Sequence, residues 1–275
     1  MFMPESRYQK IAIIGAGSVA THLGLAITAA GHHISCVFNR SSEKGRILAE
    51  KLDTQFTTNL KTLDSPDLII IAVTDDAIPQ VVEQLSNCFF SVVHTSGTVS
   101  KEVLKDVGGD YGVFYPLQTF SIGKDIDFAK VPICIEGSDS SFSMNLEELA
   151  KSLSHTVCQL DEQKRRILHL AGVFACNFSN WLYVIANDIL KKNDIPFELL
   201  LPLIQETAMK IQSKTPLDAQ TGPARRGDIS TIEQHLFLIQ NDPQLLNIYK
   251  TFTDNILNSY SHQYSTSNFL SKGGD

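Results

Sequence analysis

The sequence predicts an α/β fold: a doubly wound parallel sheet followed by an all-α C-terminal domain. Three observations carry that expectation. Short apolar runs, Ile11 to Ile14 and DLIIIAV at Asp67 to Val73, suit strands buried on both faces of a parallel sheet. Amphipathic segments of helical period alternate with such runs up to residue 160. Beyond Asp161 the strand pattern stops and helical periodicity alone remains.

The first strand ends at Gly15. Gly15, Gly17 and Ala20 then match G-x-G-x-x-G/A: one glycine for a tight turn, one for close approach of a pyrophosphate, and a small residue for helix-on-strand packing. A helix follows from Val19 to Ala30, with Gly31 as its C-cap. Strand, turn, helix and second strand in this order are the Rossmann arrangement, in which unpaired N–H groups and the helix dipole meet a phosphate. Gly15, Ala16, Gly17, Ser18 and Val19 are therefore expected to bind a dinucleotide.

The second strand, His33 to Phe38, runs into Asn39, Arg40, Ser41 and Ser42. NAD-binding sites normally place Asp or Glu here to hold the ribose 2'-hydroxyl, and this chain carries neither. A guanidinium and hydroxyls suit a 2'-phosphate instead, so Asn39, Arg40 and Ser41 point to NADP; a plain surface turn is the alternative reading. Ser42 to Leu52 reads as a helix and Gln55 to Thr58 as a third strand. The fourth, Asp67 to Val73, delivers Val73, Thr74 and Asp75 to the carboxyl edge where ligands bind, with Asp76 as N-cap of the next helix. Ser91 to His94, the fifth, ends in Thr95 and Ser96, the former facing cofactor and the latter substrate. His94 fits either a strand-end imidazole held by hydrogen bonds or a functional group. The sixth, Gly112 to Tyr115, leads to Gln118, Thr119 and Ser121, a substrate-pocket wall or an ordinary loop. Val131 to Glu136, a helix from Ser141 to Leu153, and Thr156 to Leu160 complete the pattern. The expected domains are residues 1–160 and 161–275.

Asp161 is the expected N-cap of a helix from Glu162 to Lys192, ~45 Å long at 1.5 Å per residue. At 100° per residue, Ala171, Phe174, Ala175, Phe178 and Leu182 share an apolar face. His169, Gly172, Val173, Cys176, Asn177 and Asn180 share another, suited to a ligand or to tight packing. A further helix is expected from Phe197 to Ser213, bent at Pro202. The loop TPLDAQTGPARRGD carries Arg226 and Asp228, with Asp228 the expected cap of a helix from Ile229 to Gln240. Asp242 and Pro243 open the last helix, to Tyr260, and the tail from Ser261 is expected to fray.

A chain of 275 residues with 43% hydrophobic and 19% charged residues has the make-up of a globular protein, and a net charge of -7 offers no basic field for nucleic acid or anionic lipid. Five scattered cysteines without a C-x-x-C pair read as buried thiols in a reducing compartment. No His/Cys/Asp spacing suggests a metal. The N-terminus lacks the pattern of a signal peptide, and no run approaches the ~18 apolar residues of a membrane span. The expectation is a cytoplasmic protein with a small-molecule substrate and no nucleic-acid or membrane partner.

The motifs GAGSVATHLG, FNRSSE, IAVTDDAI, HTSG, YPLQTFS, HLAGVFACNFSN and TGPARRGD span nearly the whole chain. Together they resemble Rossmann-like proteins of the 6-phosphogluconate dehydrogenase-like superfamily that carry a C-terminal helical domain of unassigned function, described as NADP oxidoreductases of the deazaflavin-dependent type. More distantly the chain is similar to pyrroline-5-carboxylate reductase and ketopantoate reductase. The resemblance implies NADPH, hydride transfer to or from a small carbonyl or imine in an interdomain cleft, and a homodimer formed through the helical domain. One departure stands out. Relatives in this superfamily place a proton-donating lysine four residues before an asparagine on the long helix, whereas here Val173 precedes Asn177 and Cys176 precedes Asn180. His169 is the nearest substitute on that face, so the expected catalytic residues are His169 as proton donor and Asn177 as substrate-orienting group. Ser96, Gln118, Asn180, Arg226 and Asp228 are the expected substrate contacts. A non-catalytic NADP-binding sensor is the alternative function.

Overall fold

The structure is a computed structural model and describes residues 8–86 and 88–270. It divides into two compact units, Met1–Tyr183 and Val184–Asp275. In the first, β1 (Ile11–Ile14), β2 (Ile34–Phe38), β3 (Gln55–Thr57), β4 (Leu68–Ile71), β5 (Ser91–His94), β6 (Tyr111–Pro116), β7 (Ile133–Gly137) and β8 (Val157–Gln159) form one sheet in the order β3-β2-β1-β4-β5-β6-β7-β8. The chain winds outward from β1 through β3, then crosses to β4 and winds the other way. This reversal between β1 and β4 opens a crevice at the strands' carboxyl ends.

Side chains alternate across this sheet as strand geometry requires. Ile11, Ile13 and Ile70 face a core with α1 (Ser18–Ala29), α2 (Ser42–Lys51) and later α4 (Ser140–Leu153), through Leu23, Ile27, Leu48, Phe142 and Leu146. Ala12, Ile14, Ile69 and Ile71 face the opposite core with α3 (Ile78–Leu85) and the 3₁₀ segment Lys101–Val107. Both faces being covered explains why β1 and β4 read as continuous apolar runs.

Several local expectations are corrected. β6 and β7 pair antiparallel, so the last two strands run against the first six. Asp76 caps no helix: Asp75–Ala77 forms a 3₁₀ turn after Thr74, and α3 starts without a side-chain cap. Of the five cysteines, only Cys134 is buried, and Cys176 is exposed.

Asp161 does cap α5 (Glu162–Gly172), accepting from Lys164 N at 2.8 Å. The expected long helix is present but not uniform. Between α5 and α6 (Ser179–Lys191) lies a π-helical turn, Val173–Phe178. A π turn takes up about one extra residue, so positions beyond it fall back by roughly 100° on a regular wheel. The faces predicted across this point therefore do not carry through, and Asn180 leaves the face of His169. Glu162–Lys191 is also long and apolar enough to cross a membrane by length and composition, contrary to the sequence expectation, and its most apolar window is 0% buried within this chain.

In the second unit, Pro202 begins α7 (Leu201–Lys210) after a 3₁₀ turn and bends nothing. The TPLDAQTGPARRGD segment folds into two short helices, α8 (Pro216–Ala219) and α9 (Pro223–Arg226). Asp228 caps α10 (Ile229–Leu238), accepting from Thr231 N at 3.2 Å. Tyr260 of α11 (Pro243–Leu270) is buried, with its hydroxyl on Leu217 O and Arg225 over its ring. Helix α11 continues past Ser261, where the sequence predicts fraying, to Leu270; the closing SKGGD lies outside the described residues.

Candidate active site

A cavity of about 930 Å³ occupies the crevice. Its floor is the turn after β1. Gly15 has φ +118°, and a Cβ there would sit 2.2 Å from Ala72 O, so no side chain is tolerated. At Gly17 nothing lies within 4 Å of a Cβ, which leaves open space above the start of α1, and no side chain caps that helix end. Free N–H groups beside an open glycine are what a pyrophosphate requires. The residues present thus fit a dinucleotide.

Gly15, Ala16, Gly17, Ser18, Val19, Asn39, Arg40, Ser41, Val73, Thr74, Thr95 and Gln118 all line this cavity. Sequence reading missed Lys44, which also lines it. Lys44 lies in the first turn of α2, four residues after Arg40, and that closeness in sequence was the available signal. Two cations with no carboxylate therefore mark the β2 end. Asp75, by contrast, is not in the lining: its carboxylate accepts from the Thr98 hydroxyl at 2.6 Å. Ser96 is buried, and its Oγ accepts from Thr98 N and Val99 N at 3.1 and 3.0 Å, so it shapes a turn.

His94 is a buried structural imidazole. Ser96 N donates to Nδ1 at 3.2 Å, which leaves Nε2–H to donate to Ser100 O at 3.3 Å. Desolvation brings its pKa down to about 4, so the ring stays neutral.

His169 sits apart from His94, on α5. Its Nδ1 is 3.1 Å from the Tyr115 hydroxyl, and its ring lies against Gly97, where an added Cβ would approach Nδ1 to 2.7 Å. Both neighbours extend from the cavity wall: Thr95 precedes Gly97 after β5, and Gln118 follows Tyr115 after β6. Arg165 and Arg166 fasten the helix that carries His169. Arg165 is fully buried, paired with Glu136 Oε2 at 2.6 Å and donating to Val99 O, while Arg166 Nε donates to Thr98 O at 2.8 Å. Three residues of one helix thus grip the loop between Gly97 and Val99.

Asn177 lies within the π turn and Asn180 just after it, both exposed. Arg226 and Asp228 belong to the second unit, where they approach each other at 4.0 Å. Among the described residues, no group of three His, Cys, Asp or Glu side chains is arranged to hold a metal ion.

Residues 10–92 match the family described as NADP oxidoreductase, coenzyme F420-dependent, and residues 131–256 match a domain of unknown function, DUF2520. No curated protein matches the chain. Among solved structures, BF3122 from Bacteroides fragilis, named as a candidate NADP oxidoreductase, is 37% identical, with 91% of this chain and 98% of that chain covered and a TM-score of 0.85. An imine reductase from Myxococcus stipitatus in complex with NADP+ is 18% identical, with 94% of each chain covered and a TM-score of 0.64. The 1-pyrroline-5-carboxylate reductase from Streptococcus pyogenes is 16% identical, with 91% and 97% covered and a TM-score of 0.59. At these identities the last two are likenesses of fold.

Proposed function

Because this chain belongs to the family that joins an NADP oxidoreductase domain to a DUF2520 domain, we propose that it is an NADPH-dependent reductase of small carbonyl or imine compounds, with His169 as proton donor. The observation that carries this reading is the placement of His169 on the two strand exits, after β5 and β6, that also wall the dinucleotide cavity. NADPH, when bound, supplies the hydride. The chain's own part is to bind phosphate at the N-terminus of α1, to present Arg40, Ser41 and Lys44 to a 2'-phosphate, and to deliver a proton from the His169 ring to the reduced oxygen or nitrogen. Asn177, two turns beyond His169, orients the substrate in this reading.

The test is calorimetric titration with NADPH and NADH, then NADPH oxidation with a panel of small ketones and cyclic imines. Wild-type protein is expected to prefer NADPH and to turn over a member of the panel. His169→Gln is expected to keep NADPH affinity and lose about 10²- to 10⁴-fold in turnover, the usual contribution of a general acid. Turnover unchanged in that variant would remove His169 from the chemistry. Tight NADPH binding with no oxidation across the panel would favour a protein that senses NADP without transforming a substrate.

A further inference from the structure

The hydroxyl of Tyr115 is placed on the ring nitrogen of His169 that points back toward β6. The rings are tilted at 54° with centroids 6.2 Å apart, an edge contact through the hydrogen bond and not a stack. Gly97 makes the pairing possible, since a Cβ there would reach 2.7 Å from Nδ1 and 2.9 Å from Tyr115 Cζ at once. The helix is pinned one turn earlier by the buried Arg165. Phenol, imidazole and the missing side chain at position 97 therefore form one fitted unit.

We propose that Tyr115 is the positioning residue for His169, donating its phenolic hydrogen to Nδ1 so that the neutral ring carries its own hydrogen on Nε2. This rests on the reading of His169 as proton donor. A neutral imidazole has one donor and one acceptor nitrogen, and the hydrogen bond made by one fixes the role of the other. The phenol is suited to donate because burial pushes its pKa up to about 12, which keeps its hydrogen in place. The pairing also balances the proton transfer. As the Nε2–H bond breaks and the proton joins the substrate oxygen or nitrogen, the phenolic proton moves to Nδ1; that proton then returns to the phenolate oxygen as Nε2 takes a proton from water, which restores the starting tautomer and leaves hydroxide.

The experiment is nuclear magnetic resonance on the full chain with ¹⁵N-labelled histidine and NADP+ present, at alkaline pH where imidazoles are neutral. His169 is assigned by its disappearance in His169→Gln. The expected spectrum shows Nδ1 without a directly bonded proton, Nε2 with one, and a downfield hydroxyl proton coupled to Nδ1 through the hydrogen bond. In Tyr115→Phe that coupling is lost, the Nδ1 signal shifts toward that of a tautomer mixture, and turnover falls by roughly 10- to 100-fold with NADPH affinity kept. A proton bonded directly to Nδ1 in the neutral wild-type ring would overturn the proposal, and so would a His169 spectrum unchanged in Tyr115→Phe. Full turnover in His169→Gln alongside the expected spectrum would instead sink the proton-donor reading and leave the pairing intact.

Discussion

Gly97 is the residue at which the site is most easily damaged without touching a polar group. Adding one methyl forces a contact of 2.7 Å on His169 Nδ1 and 2.9 Å on Tyr115 Cζ, well inside van der Waals range, and side chains held in a packed wall yield only by leaving their rotamers. Gly97→Ala is therefore expected to cost about 1–3 kcal/mol of stability and to lower turnover while leaving NADPH affinity unchanged. Thermal unfolding and calorimetry read the two effects separately, and a variant with full activity would show that the ring has room to spare. Arg40 makes a different test. Arg40→Asp should weaken NADPH by about 10- to 100-fold, the worth of a charge-assisted contact, and spare NADH; equal loss for both cofactors in parallel titrations would remove the basis for NADP. A pH effect belongs to His94. Its folded pKa of about 4 lies below the ordinary value of 6.5, so between these values the unfolded chain binds a proton that the folded chain does not. Stability is then complete above pH 6.5 and declines toward pH 4, by on the order of 3 kcal/mol in all. His94→Gln should flatten that acid limb in denaturant titrations, and an unchanged limb would assign it to other groups. At this scale the glycine turn was legible, and Asn39 to Ser41 were placed at the cavity's edge, since their signals lie within a few neighbours. The Tyr115–His169 pair was not, because 54 residues separate its members and only the fold brings them together.

Among the elements, α5 decides the geometry of the site, and its anchor is a buried cation. Arg165 pairs with Glu136, which also meets Lys101 Nζ at 3.3 Å, and its second amino group holds Val99 O. Removing Arg165 leaves Glu136 to Lys101 alone and the Val99 carbonyl short of a donor, a loss of about 1–3 kcal/mol. Arg165→Met should destabilise the first unit by that order, and it should also loosen the loop around Gly97, visible as faster hydrogen exchange at Thr98 and Val99. Retained protection there would show that Arg166 suffices. The existence of the strands and their places along the chain were readable from apolar runs because both sheet faces are covered. The reversal of β7 was not, since strand direction leaves no mark on composition. The π turn was equally hidden: its apolar and small residues satisfy a 3.6-residue period well enough, so a uniform wheel carried Asn180 to a face it does not occupy.

For the whole molecule, the helix from Glu162 to Lys191 presents uncovered apolar surface. Ile167, Leu170, Phe174, Phe178 and Trp181 are all exposed, Phe174 by 63%, so the helix carries apolar surface on both sides of the π turn that a single chain leaves uncovered. The occupant we expect is a second copy of this chain. The start of the helix is fastened to the sheet through Arg165, Arg166 and His169, which opposes its withdrawal into a bilayer, and closed homodimers are the commonest way to bury such surface. Light scattering at micromolar concentration should give twice the chain mass; a monomer, or partition of the protein into lipid vesicles, would contradict this. The central claim is that the dinucleotide cavity and His169 serve one reaction, and a crystal structure with NADPH bound tests it most directly. The account predicts the adenosine 2'-phosphate beside Arg40 and Lys44, the nicotinamide near Thr95 and Gln118, and its C4 within about 10 Å of the His169 ring, near enough for one small substrate between them. A C4 farther away than that, with no rearrangement able to bring the ring closer, would contradict it.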